Sequence, residues 1–390
     1  MKSCFDEAVN REGTNSVKWD LRREIFGTDD LIPMWVADMD FPTPPFITDA
    51  IRKRVEHEVL GYTFRDDSYF DSIIEWLQRR QQWRVKREWL HFCPGVVPAI
   101  NISILAFTNP GDEIIIQPPV YPPFFSAVTA NGRSLVTNPL MRRKSRYLID
   151  FDALRSSITP RTKMLILSHP HNPVGRVWNM CELRQLTEIC IENNIIILSD
   201  EIHSDLILPG SQHIPVATVS KEAAAITVSC IAPSKTFNIA GLSTSSVIIS
   251  DEMLRKKFAD MVESIHIGNG NIFGNVASVA AYTHGDEWLD ELLEYIAGNI
   301  EFVINFLTDR VPLIKPVTPE ATYMIWLDCT ELGMSGSELA HFFSTVTKVG
   351  LNEGSTFGEG GEGFMRMNLA CSRSLVEEAL GRIERAVNGI

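Results

Sequence analysis

The chain has 390 residues, of which 45% are hydrophobic and 22% are charged, and its formal net charge at neutral pH is −13. This length exceeds what one small core needs and predicts two domains, and the composition is that of a soluble globular protein. An acidic surface repels phosphate backbones, so we do not expect the chain to bind nucleic acid.

The sequence shows no segment that is typical of export or of membrane insertion. Residues 1–7 contain no apolar stretch, so no signal peptide is expected. The longest apolar stretch, Val96–Phe107, is interrupted by proline and is too short to span a bilayer. The seven cysteines are odd in number, scattered and without a CxxC motif, which is typical of reduced thiols. The sequence therefore predicts a cytoplasmic protein that does not associate with membranes.

The first forty residues are mixed in character and predict irregular structure, which ends at prolines 42, 44 and 45. Predicted helices then cover residues 46–58, 69–82, 93–107 and 181–193. Predicted strands cover residues 112–117, 134–140, 161–168, 195–199, 226–231 and 245–249. Continuous apolar strands that alternate with helices are typical of a mostly parallel sheet covered on both faces.

The pattern changes after residue 250. Helices dominate residues 251–308 and are followed by a strand at 322–327, a helix at 335–347, a strand at 364–369 and a helix at 375–387. This order predicts a smaller α+β domain, which the N-terminal segment could join. We therefore predict a large domain at residues 48–287 and a small domain formed by residues 1–47 and 288–390.

A lysine stands at the mouth of a predicted buried strand. The apolar run 225–231 is followed by Pro233, Ser234 and Lys235. Burying an ammonium group is costly unless its pKa falls or the group is consumed chemically. A lysine in this position could form a Schiff base with a carbonyl cofactor. On this stretch alone, a lysine that merely reaches solvent is the alternative.

Polar side chains follow three other predicted strands, where ligands bind in parallel-sheet proteins. Tyr121 follows strand 112–117, Asn172 follows strand 161–168, and Asp200 and His203 follow strand 195–199. With Lys235, this set could stack on, hydrogen-bond, charge-pair and covalently hold an aromatic cofactor. A buried carboxylate at Asp200 would keep a pyridine nitrogen protonated, and a protonated ring is an electron sink. The glycine and two valines at 95–97, before a helix, could bind a phosphate through backbone donors.

The same residues resemble a known family. Asn172-Pro-Val-Gly175, Asp200-Glu201 and Ser234-Lys235 stand 28 and 35 positions apart and resemble the fold-type-I pyridoxal-phosphate enzymes of aminotransferase class I/II. Residues 34–41, 61–63, 200–205 and 232–238 are most similar to the cystathionine β-lyase branch of the bacterial C–S lyases. The resemblance implies an α/β fold with a mostly parallel seven-stranded sheet in the large domain.

The resemblance also implies roles for individual residues. Lys235 would bind pyridoxal 5′-phosphate covalently and later act as the base at the substrate Cα. Asp200 would pair with the pyridine nitrogen, Tyr121 would stack on the ring, and Asn172 would hydrogen-bond the ring oxygen. The implied phosphate-binding residues are Gly95, Val96, Val97, Ser234 and, from the other subunit of a homodimer, Tyr62. The implied substrate-binding residues are Arg366, Asn172 and Tyr62, and Trp35 and Asp38 are candidates for lining the site.

Three positions depart from the pattern of typical aminotransferases. His203 stands where these enzymes have a tyrosine near the ring oxygen, which would place a titratable imidazole beside the cofactor. Ser243 stands where they have a phosphate-binding arginine, and Ala232 where many relatives have a serine. These departures leave the phosphate contacts near Ser243 and Ala232 open.

We therefore expect a C–S β-lyase that converts cystathionine, cysteine or S-substituted cysteines to a thiol, pyruvate and ammonia. The alternatives are an aminotransferase and, in another class, a non-catalytic regulator that binds pyridoxal phosphate. No metal site is expected, because no further ligand accompanies His169 and His171. Residues 358–363 fit GxGxxG, but they follow no clear βαβ start and predict a loop. Structural explanations remain open for Asp200 as a cap, Tyr121 as core, Tyr62 as an exposed ring and Arg366 as an ion-pair residue.

Overall fold

The structure, a computed structural model, describes residues 5–389. Its α-helices are α1 Val17–Asp20, α2 Arg22–Phe26, α3 Pro45–Val55, α4 Asp67–Gln81, α5 Val96–Phe107, α6 Pro123–Ala130, α7 Phe151–Ser157, α8 Met180–Glu192, α9 Lys221–Ile226, α10 Pro233–Thr236, α11 Glu252–Ser264, α12 Ile272–His284, α13 Asp286–Arg310, α14 Gly336–His341 and α15 Arg373–Val387. Its strands are β1 Ile32–Pro33, β2 Leu90–Cys93, β3 Glu113–Ile116, β4 Ser134–Thr137, β5 Met141–Arg143, β6 Arg146–Leu148, β7 Thr162–Ser168, β8 Ile196–Asp200, β9 Thr227–Ile231, β10 Ser245–Ile249, β11 Lys315–Val317, β12 Met324–Asp328, β13 Val349–Gly350, β14 Asn352–Glu353 and β15 Phe364–Asn368.

Seven strands form the central sheet in the order β2-β10-β9-β8-β7-β3-β4. The pairs from β9 to β4 are parallel, and β10 is antiparallel to both of its neighbours. The α/β fold with a mostly parallel seven-stranded sheet is therefore confirmed. The sequence patterns missed β2, because a four-residue strand with the sequence Leu-His-Phe-Cys carries little periodicity.

The central strands are buried because helices cover both faces of the sheet. Every residue of β3, β9 and β10 is buried, which accounts for sequences that are apolar or made of small residues apart from Glu113. One face is covered mainly by α5, α6 and α11, and the other by α7 and α8. Asn179 and Glu182 form a capping box that starts α8. With this register, the carboxyl ends of β7, β8 and β9 lie side by side.

A second sheet has the order β11-β12-β15-β14 and lies with α13 and α15 in the last part of the chain. The N-terminal segment joins this part, because β1 pairs in parallel with β13 through Ile32 and Val349. The predicted helix 335–347 is α14 followed by one π-helical turn at Phe342–Val346. The predicted domain boundary at residue 287 falls in the first turn of α13, and the division itself stays a proposal.

Residues 35–41 form a strap between the two sheets. Asn368 donates hydrogen bonds to the carbonyls of Val36 and Asp38, each at 2.6 Å. Asn238, just after α10, donates a hydrogen bond to the carbonyl of Met39 at 3.0 Å. The strap is thus fixed to both parts of the molecule and passes over the carboxyl edge of the central sheet. Within residues 5–389, no helix is long and apolar enough to cross a membrane.

Candidate active site

A cavity of about 230 Å³ lies at the carboxyl ends of β7, β8 and β9, beneath the strap. Nine of the predicted site residues line it: Gly95, Val96, Val97, Tyr121, Asn172, Asp200, His203, Ser234 and Lys235. Arg366 is one contact away, bonded to Asn172 at 2.9 Å. Tyr62 does not line this cavity and is fully exposed on the surface of the chain. The structure therefore brings together every predicted residue except the one assigned to a partner subunit.

Lys235 enters the cavity from α10, the short helical turn that follows β9. Its Nζ donates a hydrogen bond of 2.6 Å to the carbonyl of Ala37 in the strap. Burial lowers the pKa of Lys235 to about 8, and although Asp38 raises this pKa, Arg366 lowers it further. An amine with this pKa is partly neutral near physiological pH, which a nucleophile or a base requires.

Asp200 ends β8 and has a relative exposure of 6%. Its Oδ1 accepts a hydrogen bond of 3.1 Å from the backbone of Ile202. Burial, reinforced by the charge of Glu201, raises the pKa of Asp200 to about 7. The charge of Lys235, in the same cavity, lowers this pKa without offsetting burial, and within residues 5–389 no cation forms an ion pair with the carboxylate, although buried carboxylates usually have such a partner. The position therefore suits a ligand that presents a cationic N–H group, such as a pyridinium.

Arg366, in β15, is a buried guanidinium without a carboxylate partner among the described residues. Its two terminal nitrogens donate to three neutral acceptors: Asn172 Oδ1, the carbonyl of Trp35 and Asn352 Oδ1, at 2.7–3.0 Å. Its Nε has no partner in the described structure. Burial lowers the pKa of Arg366 to about 10, so the group stays charged at neutral pH. This uncompensated charge suits the carboxylate of a ligand.

The amino end of α5 also opens into the cavity. Gly95 precedes the helix with φ +133°, and no side chain caps the first turn. The amides of Val96 and Val97 are therefore left for a ligand, and the helix dipole favours an anion there. Lys235 is the single cation among the residues that line the cavity. A phosphate would thus be held here mainly by backbone and hydroxyl donors, with Ser243 in place of an arginine.

His203 is buried and differs from the expectation of a titratable imidazole. Burial lowers its pKa to about 3, with further lowering by Lys235 and Arg366, so the ring is neutral at physiological pH. The pattern near Asp200 could not reveal this, because the two cations come from other elements, Lys235 from α10 and Arg366 from β15. Its Nδ1 has no partner in residues 5–389 and remains available for a neutral hydrogen bond. Tyr121 also faces the cavity, and burial raises the pKa of its phenol, which stays protonated.

These features fit pyridoxal phosphate with an amino acid. The aldehyde needs an amine, the pyridine nitrogen needs a carboxylate, the phosphate needs donors, and the amino acid needs a cation for its carboxylate. Lys235, Asp200 and the amino end of α5 meet the first three requirements in one cavity, and Arg366, bonded to Asn172 in the cavity wall, meets the fourth. Without such a ligand, burying the Asp200 carboxylate and the Arg366 guanidinium with no ion-pair partner would lower the stability of the fold.

Several functional groups were missed from the sequence. Ala37 contributes a carbonyl to Lys235, and Asn352 contributes an oxygen to Arg366. Ser168 and Thr244 line the cavity. Of the two candidates in the strap, Trp35 contributes only its carbonyl, and Asp38 forms an ion pair with Arg11 at 2.6 Å. Backbone carbonyls leave no signal in a residue pattern. The contributions of these carbonyls and of Asn352, Ser168 and Thr244 could be identified only from the fold.

Other motifs have structural roles. His169 and His171 are fully buried, and each bonds a backbone carbonyl through Nε2, at 3.0 and 2.9 Å. Within residues 5–389, no group of three or more His, Cys, Asp or Glu residues could hold a metal ion. Residues 358–363 form turns before β15 rather than a strand-to-helix junction. The glycine of the Asn-Pro-Val-Gly stretch, Gly175, has φ +69°, and a Cβ there would approach Pro319 to 2.5 Å.

A second buried acidic residue, Glu201, directly follows Asp200 in the chain. Glu201 has no exposed surface and lies 2.9 Å from Nε2 of His213, and its other oxygen accepts from Ser229 at 3.0 Å. Both partners are buried as well. The cluster connects the residue that follows β8 with β9 and with the loop at His213.

Replacing Glu201 by alanine should lower the free energy of unfolding by about 3 kcal/mol, because His213 and Ser229 would lose a buried partner. The matched control is Glu192→Ala, which breaks an exposed ion pair with Arg155 and should cost less than about 1 kcal/mol. Urea unfolding of both variants measures the difference. Equal losses would show that the buried cluster does not stabilise the sheet.

Comparisons with known proteins agree with this geometry. The model of the family "Aminotransferase class I and II" matches residues 29–383. Cystathionine beta-lyase PatB of Bacillus subtilis is 45% identical over 385 residues, which cover 98% of this chain and 100% of that protein. Cystalysin of Treponema denticola, whose crystal structure contains pyridoxal 5′-phosphate, has a TM-score of 0.97 and 34% identity over 100% of both chains. A PLP-bound structure from Clostridium difficile 630, provisionally called an aminotransferase, has a TM-score of 0.97 and 47% identity over 98% of this chain and 99% of that one.

Proposed function

This chain belongs to the family of class I and II aminotransferases, and on that premise we propose that it is a pyridoxal-phosphate-dependent carbon–sulfur β-lyase. It removes the sulfur substituent from cystathionine, cysteine or another S-substituted cysteine and releases a thiol, pyruvate and ammonia. One observation carries the proposal: a largely buried amine and a carboxylate without an ion-pair partner line one cavity, and a guanidinium without an anion is hydrogen-bonded to Asn172 in its wall. The relative named a cystathionine beta-lyase supports sulfur chemistry in particular.

The cavity residues divide the binding of the cofactor among them. When bound, pyridoxal phosphate supplies an electron-withdrawing ring that accepts the electron pair left at the substrate Cα. Lys235 would hold the cofactor covalently, and Asp200 would pair with its ring nitrogen. The residues proposed to contact the ring oxygen and the ring face are Asn172, His203 and Tyr121. The residues proposed to bind the phosphate are Gly95, Val96, Val97 and Ser234.

The substrate is oriented and deprotonated by two residues. Arg366 would bind the amino acid carboxylate, and its hydrogen bond to Asn172 holds the guanidinium beside the residue proposed to contact the ring oxygen. Once the amino group of the substrate has replaced it on the cofactor, the freed Lys235 Nζ would take the proton from Cα, a role that suits an amine with a pKa of about 8. The Cβ–S bond breaks as the thiolate leaves with the bonding pair, and water completes the conversion to pyruvate and ammonia.

An aminotransferase would use the same residues up to proton removal, so the assay must separate the two outcomes. L-cystathionine is added to the purified holoenzyme while pyruvate and free thiol are measured. Pyruvate and thiol in equal amounts support the lyase. Keto acid that forms only when a 2-oxo acid acceptor is supplied would assign the protein to the aminotransferases. A cofactor spectrum with no keto acid from any amino acid would favour a regulator.

We also propose that the protein is a homodimer whose site is completed by Tyr62 of the partner copy. Tyr62 is fully exposed, and its neighbours Val59, Leu60 and Phe64 are 56–84% exposed. Apolar side chains grouped in this way are typical of an interaction surface. The cytoplasm is the proposed location, in keeping with five buried thiols and one exposed free cysteine among the described residues.

Mixing two inactive variants tests the shared site. Tyr62→Ala and Lys235→Met subunits, unfolded and refolded together in equal amounts, should regain about a quarter of the parent activity. Half of the dimers would be hybrids, and each hybrid would contain one site with both native residues. If Tyr62 served its own subunit, no hybrid site would be complete and mixing would restore nothing.

A further inference from the structure

Asp205 lies five residues after Asp200, and the cavity does not include it. Its two carboxylate oxygens have different partners. Oδ2 accepts a hydrogen bond of 2.9 Å from Thr236 Oγ1, and Oδ1 accepts one of 3.0 Å from Trp76 Nε1. Gln81 lies at 3.5 Å from the same Oδ1. Thr236 and Trp76 are almost completely buried, so neither donor has water as an alternative partner.

Thr236 is the residue that directly follows Lys235. Both belong to α10, a helical turn of only four residues, whose carbonyls at Pro233 and Ser234 accept backbone bonds from Phe237 at 2.9 Å and from Ile239 at 3.1 Å. So short a turn has little intrinsic stability, and side-chain contacts must fix its orientation. Among the described residues, Asp205 is the partner of the Thr236 hydroxyl.

The loop that carries Asp205 is itself rigidly held. Ser204 donates a backbone bond to Glu201 at 3.0 Å, and Leu206 donates one to His203 at 2.9 Å. Thr322, before β12, donates to the carbonyl of Leu206 at 2.7 Å. Six residues of chain, 200–205, therefore carry Asp200 and His203 into the cavity and Asp205 against the lysine turn.

We propose that Asp205 is a positioning residue for the reaction, acting through Thr236 to hold the Lys235 turn in register with Asp200. The inference rests on the proposed function of Lys235 as the covalent anchor and base. Residues 200–205 carry both Asp200 and Asp205. This one segment therefore sets the distance between the Asp200 carboxylate and the Lys235 amine. Asp205 touches neither cofactor nor substrate, and its effect is geometric.

The test uses three variants of the holoenzyme. Asp205→Asn keeps the shape but offers one acceptor oxygen instead of two, so one of the two donors loses its partner. Thr236→Val removes the donor at constant size. Thr227→Val is the matched control, because it deletes another buried threonine hydroxyl, bonded to Ala223 at 2.7 Å, at the opposite end of β9. The readouts are kcat, KM, the thermal midpoint and the pH midpoint of the visible band of the lysine-bound cofactor.

We expect Asp205→Asn and Thr236→Val each to lower kcat about tenfold, to change KM less than about twofold and to move the pH midpoint of the band. The double variant should lose no more than the stronger single variant, because Asp205 is proposed to act on the lysine turn only through Thr236. Thr227→Val should lower the thermal midpoint and leave kcat and the band unchanged.

Two results would overturn the proposal. One is a lowered thermal midpoint with parent kcat and an unmoved band, which would make Asp205 purely structural. The other is additive losses in the double variant, which would separate Asp205 from Thr236. The band requires only bound cofactor, so it still reports on Asp205 if the parent enzyme shows no lyase activity. Failure of the proposed function and failure of this inference are therefore distinguishable.

Discussion

Replacing Lys235 by methionine is expected to abolish β-elimination, with a loss of at least about 10³-fold, because the chain loses both its covalent anchor and its base. The same substitution should make the cofactor-free protein more stable at neutral pH. Methionine retains most of the side-chain volume while removing an ammonium group that is buried at the cavity. Loss of activity together with a gain in stability is the signature of a residue kept for chemistry.

The pH dependence of this gain follows from the pKa. Burial lowers the pKa of Lys235 from 10.5 to about 8, so between these values the folded state binds fewer protons than the unfolded state. Stability of the parent therefore rises with pH across this window, and the full penalty is present below pH 8. We expect the methionine variant to be more stable by about 1–3 kcal/mol at pH 7, after the lost bond to Ala37 is counted. The advantage should disappear above pH 10.

Denaturant unfolding of the cofactor-free proteins at pH 7 and pH 10 measures this difference. The matched control is Lys163→Met, because Lys163 is exposed and also donates to a backbone carbonyl, that of Pro160. This variant should change neither activity nor the pH dependence of stability. A Lys235→Met protein that kept parent turnover, or that was less stable than the parent at pH 7, would contradict the role proposed for the lysine.

The sequence predicted most of the strands that build the site, because their signals are local. Apolar runs identified β7, β8 and β9, and the polar residues that follow them supplied Asn172, Asp200 and Lys235. Strand order in a parallel sheet then places these ends at one edge. The elements that were missed, such as β2 and β14, are short and depend on pairing with distant strands.

The surroundings of these residues could not be predicted, because they depend on contacts between distant parts of the chain. The Arg366 guanidinium donates hydrogen bonds to Trp35 and Asn172, which lie 331 and 194 residues away along the chain. Lys235 bonds the strap at Ala37, 198 residues away. For the same reason the sequence predicts a titratable imidazole at His203, whereas burial and two nearby cations keep the ring neutral.

Asp200→Asn should retain the bound cofactor but lower kcat by on the order of 10²–10⁴-fold, because the ring nitrogen loses the carboxylate that keeps it protonated. The amide keeps the size of the side chain and an oxygen for the backbone of Ile202. Retention is expected because Lys235 and the amino end of α5 are unchanged. Absorbance of the bound cofactor and pyruvate release measure the two effects separately.

The stability of the cofactor-free proteins gives an independent check on Asp200. Burial raises the pKa of its carboxyl from 3.8 to about 7, so the folded parent binds more protons than the unfolded chain between these values, and its stability falls as the pH rises through that window. Asn lacks this loss, and the variant should be more stable than the parent by a few kcal/mol at pH 8. Adding pyridoxal phosphate should reverse the order, because only the carboxylate gains a cationic partner. The exposed Asp152→Asn control should show neither effect. Parent turnover in Asp200→Asn, or equal stabilisation of both proteins by the cofactor, would contradict the pairing of Asp200 with the ring nitrogen.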